Sequence, residues 1–367
     1  MPKPPFRADH VGSLLRPPAL REARAARAAG TLDAASLRSV EDTAIREAIA
    51  QQRAIGLQAV TDGEYRRAFW HVDFLAKLGG VELYEADQGI QFKGGQTKAY
   101  GLKVTGPIRY EPHPFVADYA FVHAHAGGAV PKITIPSPSV LHFRGGRRAV
   151  DAHSYPEMDG FFADLGDAYA AAVADLAAAG CRYLQIDEVN IAYLCDPEQI
   201  AQLKARGEET EGLLETYAAL INRAIAGRPA EMFVSMHLCR GNFRSMHIAS
   251  GGYDPVAEVP FNGIDVDAHF LEYDDERSGS FAPLRFLPKG KTVVLGLVTS
   301  KRGELESKDL LKRRIAAAAE HAPIEQLAIS PQCGFASTEE GNLLTVEEQW
   351  AKLRLCVEVA REVWGAV

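Results

Sequence analysis

The fold is decided by residues 159–188, DGFFADLGDAYAAAVADLAAAGCRYLQIDE, where a long alanine-rich helical pattern leads into a short apolar strand. The pattern predicts a helix over Asp159–Ala179 and a strand over Tyr183–Ile186. The alternation continues on both sides, with predicted strands at Ala8–Val11, Leu57–Thr61, Lys132–Ile135, Met232–Met236, Val266–Leu271, Thr292–Leu297 and Leu327–Ile329. Further helices are predicted at Ser36–Ala54, Glu208–Ala226, Ser307–His321 and Val346–Trp364. Eight strands alternating with helices predict an α/β fold of the TIM (β/α)8 barrel type.

One segment interrupts this alternation. Gly89–Tyr110 is rich in Gly, Lys, Thr and Tyr, and we expect it to form a β-hairpin inserted after the second strand. A flap over a site and a decorative loop are both compatible with it. No internal repeat or low-complexity linker divides the chain, so residues 1–367 are predicted to form a single barrel domain. The loops Gly251–Pro260 and Asp274–Pro288 follow strands, and we expect them at the rim where barrel active sites lie.

The composition is that of a globular protein, since 47% of the 367 residues are hydrophobic and 24% are charged. A formal net charge of -8 argues against a nucleic acid or an anionic membrane as the main partner. No apolar run reaches the roughly 18 residues of a membrane span, and the opening MPKPPFRADH lacks the apolar core of a signal peptide. We therefore expect a cytoplasmic protein with reduced thiols, and a homo-oligomer is compatible with the composition.

A candidate metal site lies in MFVSMHLCRGN, residues 232–242. His237 and Cys239 are two residues apart on a predicted strand, so their side chains project from the same face. Glu272 ends the next strand and Cys333 follows the last one. Strand ends of a barrel meet at one rim, so these four residues are candidate ligands of a tetrahedral Zn2+ site. The alternative is a buried histidine with small buried thiols, which is also our interpretation of Cys181, Cys195 and Cys356.

Acidic residues near other strand ends are candidate substrate contacts. Asp187 and Glu188 are adjacent at the end of YLQIDE, and two neighbouring carboxylates indicate a cationic ligand because like charges repel. The structural alternatives are that Asp187 caps a helix and that Glu64 pairs with Arg66 or Arg67. His10, at the end of the first strand, is a candidate for proton transfer or, alternatively, a packing residue.

Six segments occur in a familiar order: ADHVGSLLRP, AVTDGEYRR, YLQIDEVN, SMHLCRGN, HFLEYDDE and SPQCGF. Together they span nearly the whole chain, and the chain resembles the catalytic barrel of the cobalamin-independent methionine synthase family. The resemblance implies a TIM barrel and a zinc ion held by His237, Cys239, Glu272 and Cys333.

The resemblance also implies a substrate and an activity. It places the homocysteine ammonium at Glu64 and Asp187, and the substrate carboxylate at the turn formed by Val11, Gly12 and Ser13. The implied reaction is zinc-dependent transfer of a methyl group to homocysteine, giving methionine. The partners would then be a small thiol and a methyl donor, either a methylfolate, a methylated corrinoid or a small methylated compound. A carboxylate is the most exchangeable ligand of such a site, so we expect Glu272 to yield to the incoming thiol.

The sequence departs from the family pattern in three respects. The chain corresponds to one barrel, whereas other members carry a second. Tyr193 replaces a family glutamate, and the family's proton-donating histidine has no equivalent in GLVTSKRGELES. Lys301 or Arg302 occupies that neighbourhood, and Lys301 is our candidate for the acid that protonates a leaving amine. His142 and Phe143 are expected near the donor pocket.

Two other functions compete with this one. Single-barrel relatives that alkylate coenzyme M with epoxides use a similar zinc site, but a sulfonate substrate would require a cationic pocket. Glu64, Asp187 and Glu188 favour an ammonium group instead. A non-catalytic zinc-binding or thiol-sensing protein is the alternative from a different class, and it would retain metal without thiol-alkylation chemistry.

Overall fold

The computed structural model describes residues 4–87 and 89–367. The strands are β1 (Ala59–Val60), β2 (Gly79–Glu85), β3 (Gln91–Phe92), β4 (Gly95–Gln96), β5 (Tyr100–Arg109), β6 (Val130–Pro131), β7 (Ile133–Pro136), β8 (Tyr183–Glu188), β9 (Phe233–Leu238), β10 (Ala268–Glu272), β11 (Thr292–Val298) and β12 (Leu327–Pro331). The α-helices are α1 (Pro18–Ala28), α2 (Ala34–Ile55), α3 (Val72–Leu75), α4 (Pro114–His125), α5 (Ser139–Phe143), α6 (Met158–Ala178), α7 (Asn190–Tyr193), α8 (Pro197–Ala205), α9 (Leu213–Ile225), α10 (Lys308–Ala319) and α11 (Val346–Trp364).

The parallel strands follow the order of a TIM-type barrel. Strands β7 to β12 form one parallel sheet in sequential order, and β6, which pairs with β1, leads into β7 across Lys132. At the other edge, Ala8 forms a parallel bridge with Ile329 of β12. Past the strand ends, the Leu14 N–H donates to the Gly63 carbonyl and links the first two extended segments. Strands β7, β8, β10, β11 and β12 are buried along their whole length, as expected for a parallel sheet that is covered on both faces.

The predicted first strand, Ala8–Val11, is wrong beyond Ala8, because no ladder continues there. The carbonyl of His10 accepts a hydrogen bond from Lys132 Nζ at 2.7 Å instead of from a neighbouring strand. The same Lys132 Nζ lies 3.3 Å from Asp9 Oδ1, and both side chains are buried in the barrel. A buried lysine therefore replaces part of the backbone pairing at this edge.

The predicted helices match the structure closely except at one end. The predicted helix Glu208–Ala226 begins only at Leu213. Gly207 and Gly212 both have positive φ angles, of 82° and 70°, and a left-handed residue interrupts a right-handed helix. The last helix, α11, has the predicted bounds and begins with a capping box between Thr345 and Glu348. Among the described residues, no helix combines the length and the hydropathy that crossing a bilayer requires.

The insertion is longer than the sequence indicated. Strand β5 pairs in antiparallel fashion with β2, which lies before the predicted segment Gly89–Tyr110, and β3 pairs with β4 near the tip. The outgoing strand was missed because its residues from Glu82 to Glu85 are exposed, so no buried face marks it as a strand. The tip returns to the barrel rim, where the Lys93 N–H donates to the His247 carbonyl at 2.9 Å. The insertion is therefore placed to form a wall of any site at that rim.

Candidate active site

Four potential metal ligands converge at the carboxyl ends of the strands. One ligand atom from each of His237, Cys239, Glu272 and Cys333 lies within 4.8 Å of the others, and all four residues are buried. His237 and Cys239 come from the end of β9, Glu272 ends β10, and Cys333 follows β12. The parallel arrangement of the strands is what brings these distant positions to one place.

The cluster fits a tetrahedral zinc ion by its chemistry and spacing. The two sulfur atoms lie 3.5 Å apart, whereas two thiolates on one tetrahedral zinc would be about 3.8 Å apart. His237 points Nδ1 at the Phe270 carbonyl, at 3.3 Å, and its buried Nε2 has no hydrogen-bond partner among the described residues. An orphaned imidazole nitrogen beside two thiols and a carboxylate is the donor set that zinc prefers.

The electrostatics of the cluster favour anionic ligands. The contact between the two thiols lowers the pKa of Cys333 well below its usual range and raises the pKa of Cys239. The Cys239 thiol therefore donates a hydrogen bond to Cys333, which is the thiolate. Burial would raise the pKa of Glu272, but the nearby Lys301 and Arg277 charges lower it to about 2. Two of the four ligands are therefore poised as anions before any metal binds.

Glu272 is held by two donors. The Arg240 N–H donates to Oε1 and the Arg277 guanidinium to Oε2, each at 2.8 Å. Arg277 also contacts Asp274 at 2.8 Å, and Arg240 lies 4.1 Å over the ring of Tyr253. Neither arginine was predicted as a site residue. Both stand close to candidate ligands in the sequence, in HLCRGN and EYDDER, and this proximity could have identified them.

A pocket opens beside the cluster, and we call it the inner pocket. Three of the four ligands, His237, Cys239 and Cys333, line it together with two acidic side chains, Glu64 and Asp187. The remaining wall residues include Val11, Ser13, Phe69, Trp70, His71, Ile90, Phe92, Thr97, Arg144 and Tyr193. The candidate metal centre therefore faces a pocket lined by both acidic and aromatic side chains.

Glu64 occupies a strained position in the inner pocket. Its φ angle is 60°, unusual for a residue other than glycine, and such strain concentrates at functional sites. Its Oε1 accepts from the Thr134 hydroxyl at 2.8 Å and lies 3.6 Å from Arg67, so the pairing with Arg67 does occur. Its buried Oε2 has no partner within the described chain. Burial raises the pKa of Glu64, against the pull of Arg67. One carboxylate oxygen is thus left to contact a ligand.

Asp187 faces the same space. Its Oδ1 accepts from Gln185 at 2.6 Å, and no helix cap uses its side chain. Burial, and next the charge of Glu64, raises the pKa of Asp187 to about 7. Two buried carboxylates, of which Glu64 raises the pKa of Asp187, indicate a site for a cation, because a bound ammonium would relieve the repulsion between them.

The turn at Val11, Gly12 and Ser13 borders this space. Val11 and Ser13 line the inner pocket, and the Ser13 hydroxyl accepts from the Ala336 N–H at 3.3 Å, which ties the turn to the Cys333 loop. Gly12 has a φ of 131°, and a Cβ built on it would lie 2.6 Å from Thr134 Cγ2 and 3.7 Å from Glu64 Oε1. The backbone therefore approaches the acidic side chains as closely as only glycine allows.

His10 and Glu188, both predicted as site residues, face away from this pocket. His10 is buried beside Gln52 and Ala59, and burial, followed by the charge of Lys132, lowers its pKa to about 4. Glu188 accepts from the Ser139 hydroxyl at 2.6 Å and from the Ile191 N–H at 3.0 Å, and so caps α7. Neither residue lines the inner pocket. In extended chain, adjacent residues face opposite sides, so Val11 and Asp187 face inward while His10 and Glu188 face away.

Lys301 lies near the metal ligands, although it does not line the inner pocket. Its Nζ is buried without a hydrogen-bond partner among the described residues, and its charge lowers the pKa values of Glu272 and Cys239. Of the two residues expected near the donor pocket, His142 contacts the Tyr217 hydroxyl at 2.8 Å, and Phe143 lines a neighbouring cavity beside the insertion. Tyr193, which replaces a family glutamate, lines the inner pocket. Arg16, which sequence reasoning missed, donates to the Glu64 carbonyl at 2.8 Å and so fixes the strained turn.

The chain is similar to known proteins over nearly its whole length. The sequence model of the family described as "Cobalamin-independent synthase, Catalytic domain" matches residues 6–362. "Uncharacterized protein YxjH" of Bacillus subtilis (strain 168) is 50% identical over 363 residues, which cover 99% of this chain and 96% of that protein. A solved structure described as the "Putative Vitamin-B12 Independent Methionine Synthase from Listeria monocytogenes" is 39% identical, with a TM-score of 0.80 and complete coverage of both chains.

A more distant relative is much longer. The "5-methyltetrahydropteroyltriglutamate--homocysteine methyltransferase" of Synechococcus sp. is 24% identical over 346 residues, which cover 90% of this chain but 40% of that protein. The similarity is thus confined to less than half of that protein.

Proposed function

This chain belongs to the cobalamin-independent methionine synthase family, and on that premise we propose that it catalyses zinc-dependent transfer of a methyl group to the thiol of homocysteine, giving methionine. The observation that carries the proposal is the position of the His237, Cys239, Glu272 and Cys333 cluster beside a pocket with two buried acids, Glu64 and Asp187. Zinc held by these ligands would supply the acidity that converts a bound thiol to the nucleophilic thiolate at neutral pH.

The two acidic side chains are suited to a substrate that carries an ammonium group, such as an amino acid. The free Oε2 of Glu64 and the carboxylate of Asp187 would bind the substrate ammonium, which also lowers the cost of keeping both acids buried and ionised. The turn at Val11, Gly12 and Ser13 would receive the substrate carboxylate. The substrate sulfur would then lie toward the cysteine side of the inner pocket.

Glu272 is the ligand that we expect to exchange. Its two oxygens already have partners in the Arg240 N–H and the Arg277 guanidinium, so the carboxylate stays paired when it is displaced from a metal. The thiolates have no comparable cationic partner within hydrogen-bond distance in the described chain, and they are the softer ligands.

In the transfer itself, a sulfur–carbon bond forms as the bond between the methyl group and its carrier breaks. The electron pair of the broken bond stays on the carrier, and an amine carrier must then take up a proton. Lys301 is our candidate for the group that supplies this proton, because its buried Nζ has no hydrogen-bond partner among the described residues and its charge acts on Glu272. His10 and Glu188 have no place in this scheme, because His10 is buried beside Gln52 and Ala59, and Glu188 is engaged by the Ser139 hydroxyl and the Ile191 N–H.

The test is to incubate the zinc-loaded protein with homocysteine and, separately, with methyltetrahydrofolate, methylcobalamin and S-methylmethionine, and to measure methionine by mass spectrometry. Methionine formation with any donor supports the proposal. Absence of methionine, together with consumption of epoxide and coenzyme M, would replace it with the thiol alkyltransferase alternative. Zinc retention without any product would indicate the non-catalytic thiol-binding protein.

A further inference from the structure

Gln185 joins two parts of the inner pocket to which we have assigned different ends of an amino acid. It lies within β8 and is fully buried, and its Nε2 donates to Asp187 Oδ1 and to the Val11 carbonyl, each at 2.6 Å. A backbone carbonyl and an ionised carboxylate only accept hydrogen bonds, so the NH2 group of the amide must face them. One NH2 group therefore connects the acid that would bind the ammonium with the turn that would receive the carboxylate.

The turn depends on side chains for its position. The backbone of residues 10–12 belongs to no ladder within the described chain. Its three consecutive carbonyls instead accept from the side chains of Lys132 at 2.7 Å, Gln185 at 2.6 Å and Thr61 at 2.7 Å. Of these three donors, Gln185 is the one that also reaches Asp187. A change at Gln185 would therefore alter the turn and the acid together.

The two-residue period of β8 places this amide. Tyr183, Gln185 and Asp187 project from one face of the strand. The Tyr183 hydroxyl donates to Asp9 Oδ2 at 2.6 Å and Gln185 donates to Val11, so β8 holds the first segment at two alternate positions. The Oε1 of Gln185 is buried without a partner among the described residues. An unpaired buried amide oxygen is costly, and this cost is expected where function determines the orientation of the amide.

We propose that Gln185 is a positioning residue that sets the distance between the ammonium and carboxylate subsites, and so selects amino acids that carry both groups on one carbon atom. The inference rests on the proposed function for the assignment of these subsites to an amino acid. Gln185 does not line the inner pocket and acts through Val11 and Asp187. A β-amino acid, in which one more carbon separates the two groups, needs a wider spacing and is disfavoured while the amide holds both partners.

The test compares the binding of methionine with that of its β-amino homologue, 3-amino-5-(methylsulfanyl)pentanoic acid, by calorimetry on zinc-loaded protein. The test variant is Gln185→Met, which has a similar shape but cannot donate a hydrogen bond. The control is Gln326→Met. Gln326 also gives two hydrogen bonds from Nε2, to the Pro288 and Lys291 carbonyls at 2.7 Å each, but it precedes β12 at the end of the barrel opposite the inner pocket.

We expect the Kd of methionine to increase roughly tenfold in Gln185→Met, and the preference for methionine over the β-amino homologue to fall by a similar factor. In the control, both quantities should remain within about twofold of wild type, because its lost bonds lie far from the pocket. A general loss of packing would weaken both ligands alike and leave their ratio unchanged. An unchanged ratio in Gln185→Met therefore overturns the proposal.

A second variant covers the case in which Gln185→Met does not fold, as judged by circular dichroism. Gln185→Glu keeps the shape of the side chain, and burial favours its neutral form, which retains one donor in place of two. We expect a smaller fall in the preference for methionine in this variant. A preference equal to that of wild type would overturn the proposal.

These outcomes separate the role of Gln185 from the proposed function. Methionine formation by the wild type, together with an unchanged ratio in Gln185→Met, would uphold the methyltransferase and remove this role. A ratio that depends on Gln185, without methionine formation from any donor, would uphold the role and remove the methyltransferase. If the wild type binds neither ligand, the assignment of the pocket to an amino acid is wrong and this inference is overturned with it.

Discussion

The sulfur atoms of Cys239 and Cys333 lie 3.5 Å apart, although 94 residues separate them in the chain. Each follows a parallel strand, β9 or β12, so the barrel and not the local sequence brings them together. Their mutual contact lowers the pKa of one thiol and raises that of the other. A pair of this kind at the edge of a pocket is prepared to bind a thiophilic metal and is accessible to substrate.

Substitution of Cys333 should abolish metal binding. The Cys333→Ser variant loses one of two thiolates, and we expect its zinc affinity to fall by more than about 100-fold. Zinc content after dialysis against a weak chelator, measured by mass spectrometry, checks this. Cys356→Ala, which changes a buried cysteine of α11 far from the cluster, should retain zinc at wild-type stoichiometry. Equal zinc content in the two variants would exclude the four-residue site.

Arg277 should stabilise the protein through Glu272. Arg277→Gln leaves a fully buried carboxylate with one partner fewer, and we expect a loss of about 2–4 kcal/mol in the free energy of unfolding of the metal-free protein. Arg285→Gln breaks an exposed pair with Asp254 and should cost less than about 1 kcal/mol. Urea denaturation of both variants makes the comparison. Equal losses would show that the pair of Arg277 and Glu272 contributes no more to stability than an exposed ion pair.

Amino-acid binding should depend on pH through Asp187. Its pKa is raised to about 7, so the carboxylate is mostly protonated at pH 6 and mostly ionised at pH 8. A ligand ammonium needs the ionised form, so methionine should bind roughly tenfold more tightly at pH 8 than at pH 6. Calorimetry with zinc-loaded protein measures this. In Asp187→Asn, binding should be weak, with most of the pH dependence lost, and a wild-type affinity that is constant over this range would contradict the assignment.

The same raised pKa has the opposite consequence for stability. The folded protein holds a proton on Asp187 that the unfolded chain releases near its ordinary pKa of 3.8. The contribution of this group to stability is therefore present at low pH and is lost as the pH rises from about 4 to about 7. Asp187→Asn should remove this decline, and denaturation curves at pH 5 and pH 8 would show whether it does.

Gly12 should tolerate no side chain. Gly12→Ala places a Cβ 2.6 Å from Thr134 Cγ2 on a backbone with a φ of 131°, and we expect a loss of stability of about 2–4 kcal/mol together with weaker methionine binding. Gly30→Ala has a similarly positive φ, of 73°, but no atom within 4 Å of the added group. It should cost about 1 kcal/mol and leave binding unchanged, so the pair of variants separates backbone strain from a steric clash in the inner pocket.

The parts of the fold with the strongest burial were predictable from the sequence. Strands β8 to β12 lie within two residues of their predicted bounds, because parallel strands buried on both faces appear as continuous apolar runs. The strand predicted at Ala8–Val11 does not extend beyond Ala8, and the sequence could not show this because the His10 carbonyl accepts from Lys132, 122 residues away. The outgoing strand β2 was missed because it is mostly exposed.

Part of the candidate site was predictable, because side chains along a β-strand alternate between its two faces with a period of two residues. The period places His237 and Cys239 on one face, and their meeting with Glu272 and Cys333 follows from the barrel. Applied to neighbouring positions, the same period would have separated Asp187 from Glu188 and Val11 from His10. A larger cavity beside the insertion is lined by four basic residues, Lys93, Arg144, Arg148 and Arg206. Their positions depend on tertiary contacts of loops and of the insertion, so no sequence pattern predicted that they lie together.

The inserted hairpin begins and ends at the same point of the barrel, since Gly79 of β2 pairs with Arg109 of β5. A segment with adjacent ends can be lengthened, shortened or replaced without displacing the strands that flank it. Its tip contributes Ile90, Phe92 and Lys93 to cavity walls while the metal ligands belong to other elements. Replacing this hairpin with that of a relative should therefore change the walls of the cavities and leave the cluster of His237, Cys239, Glu272 and Cys333 in place.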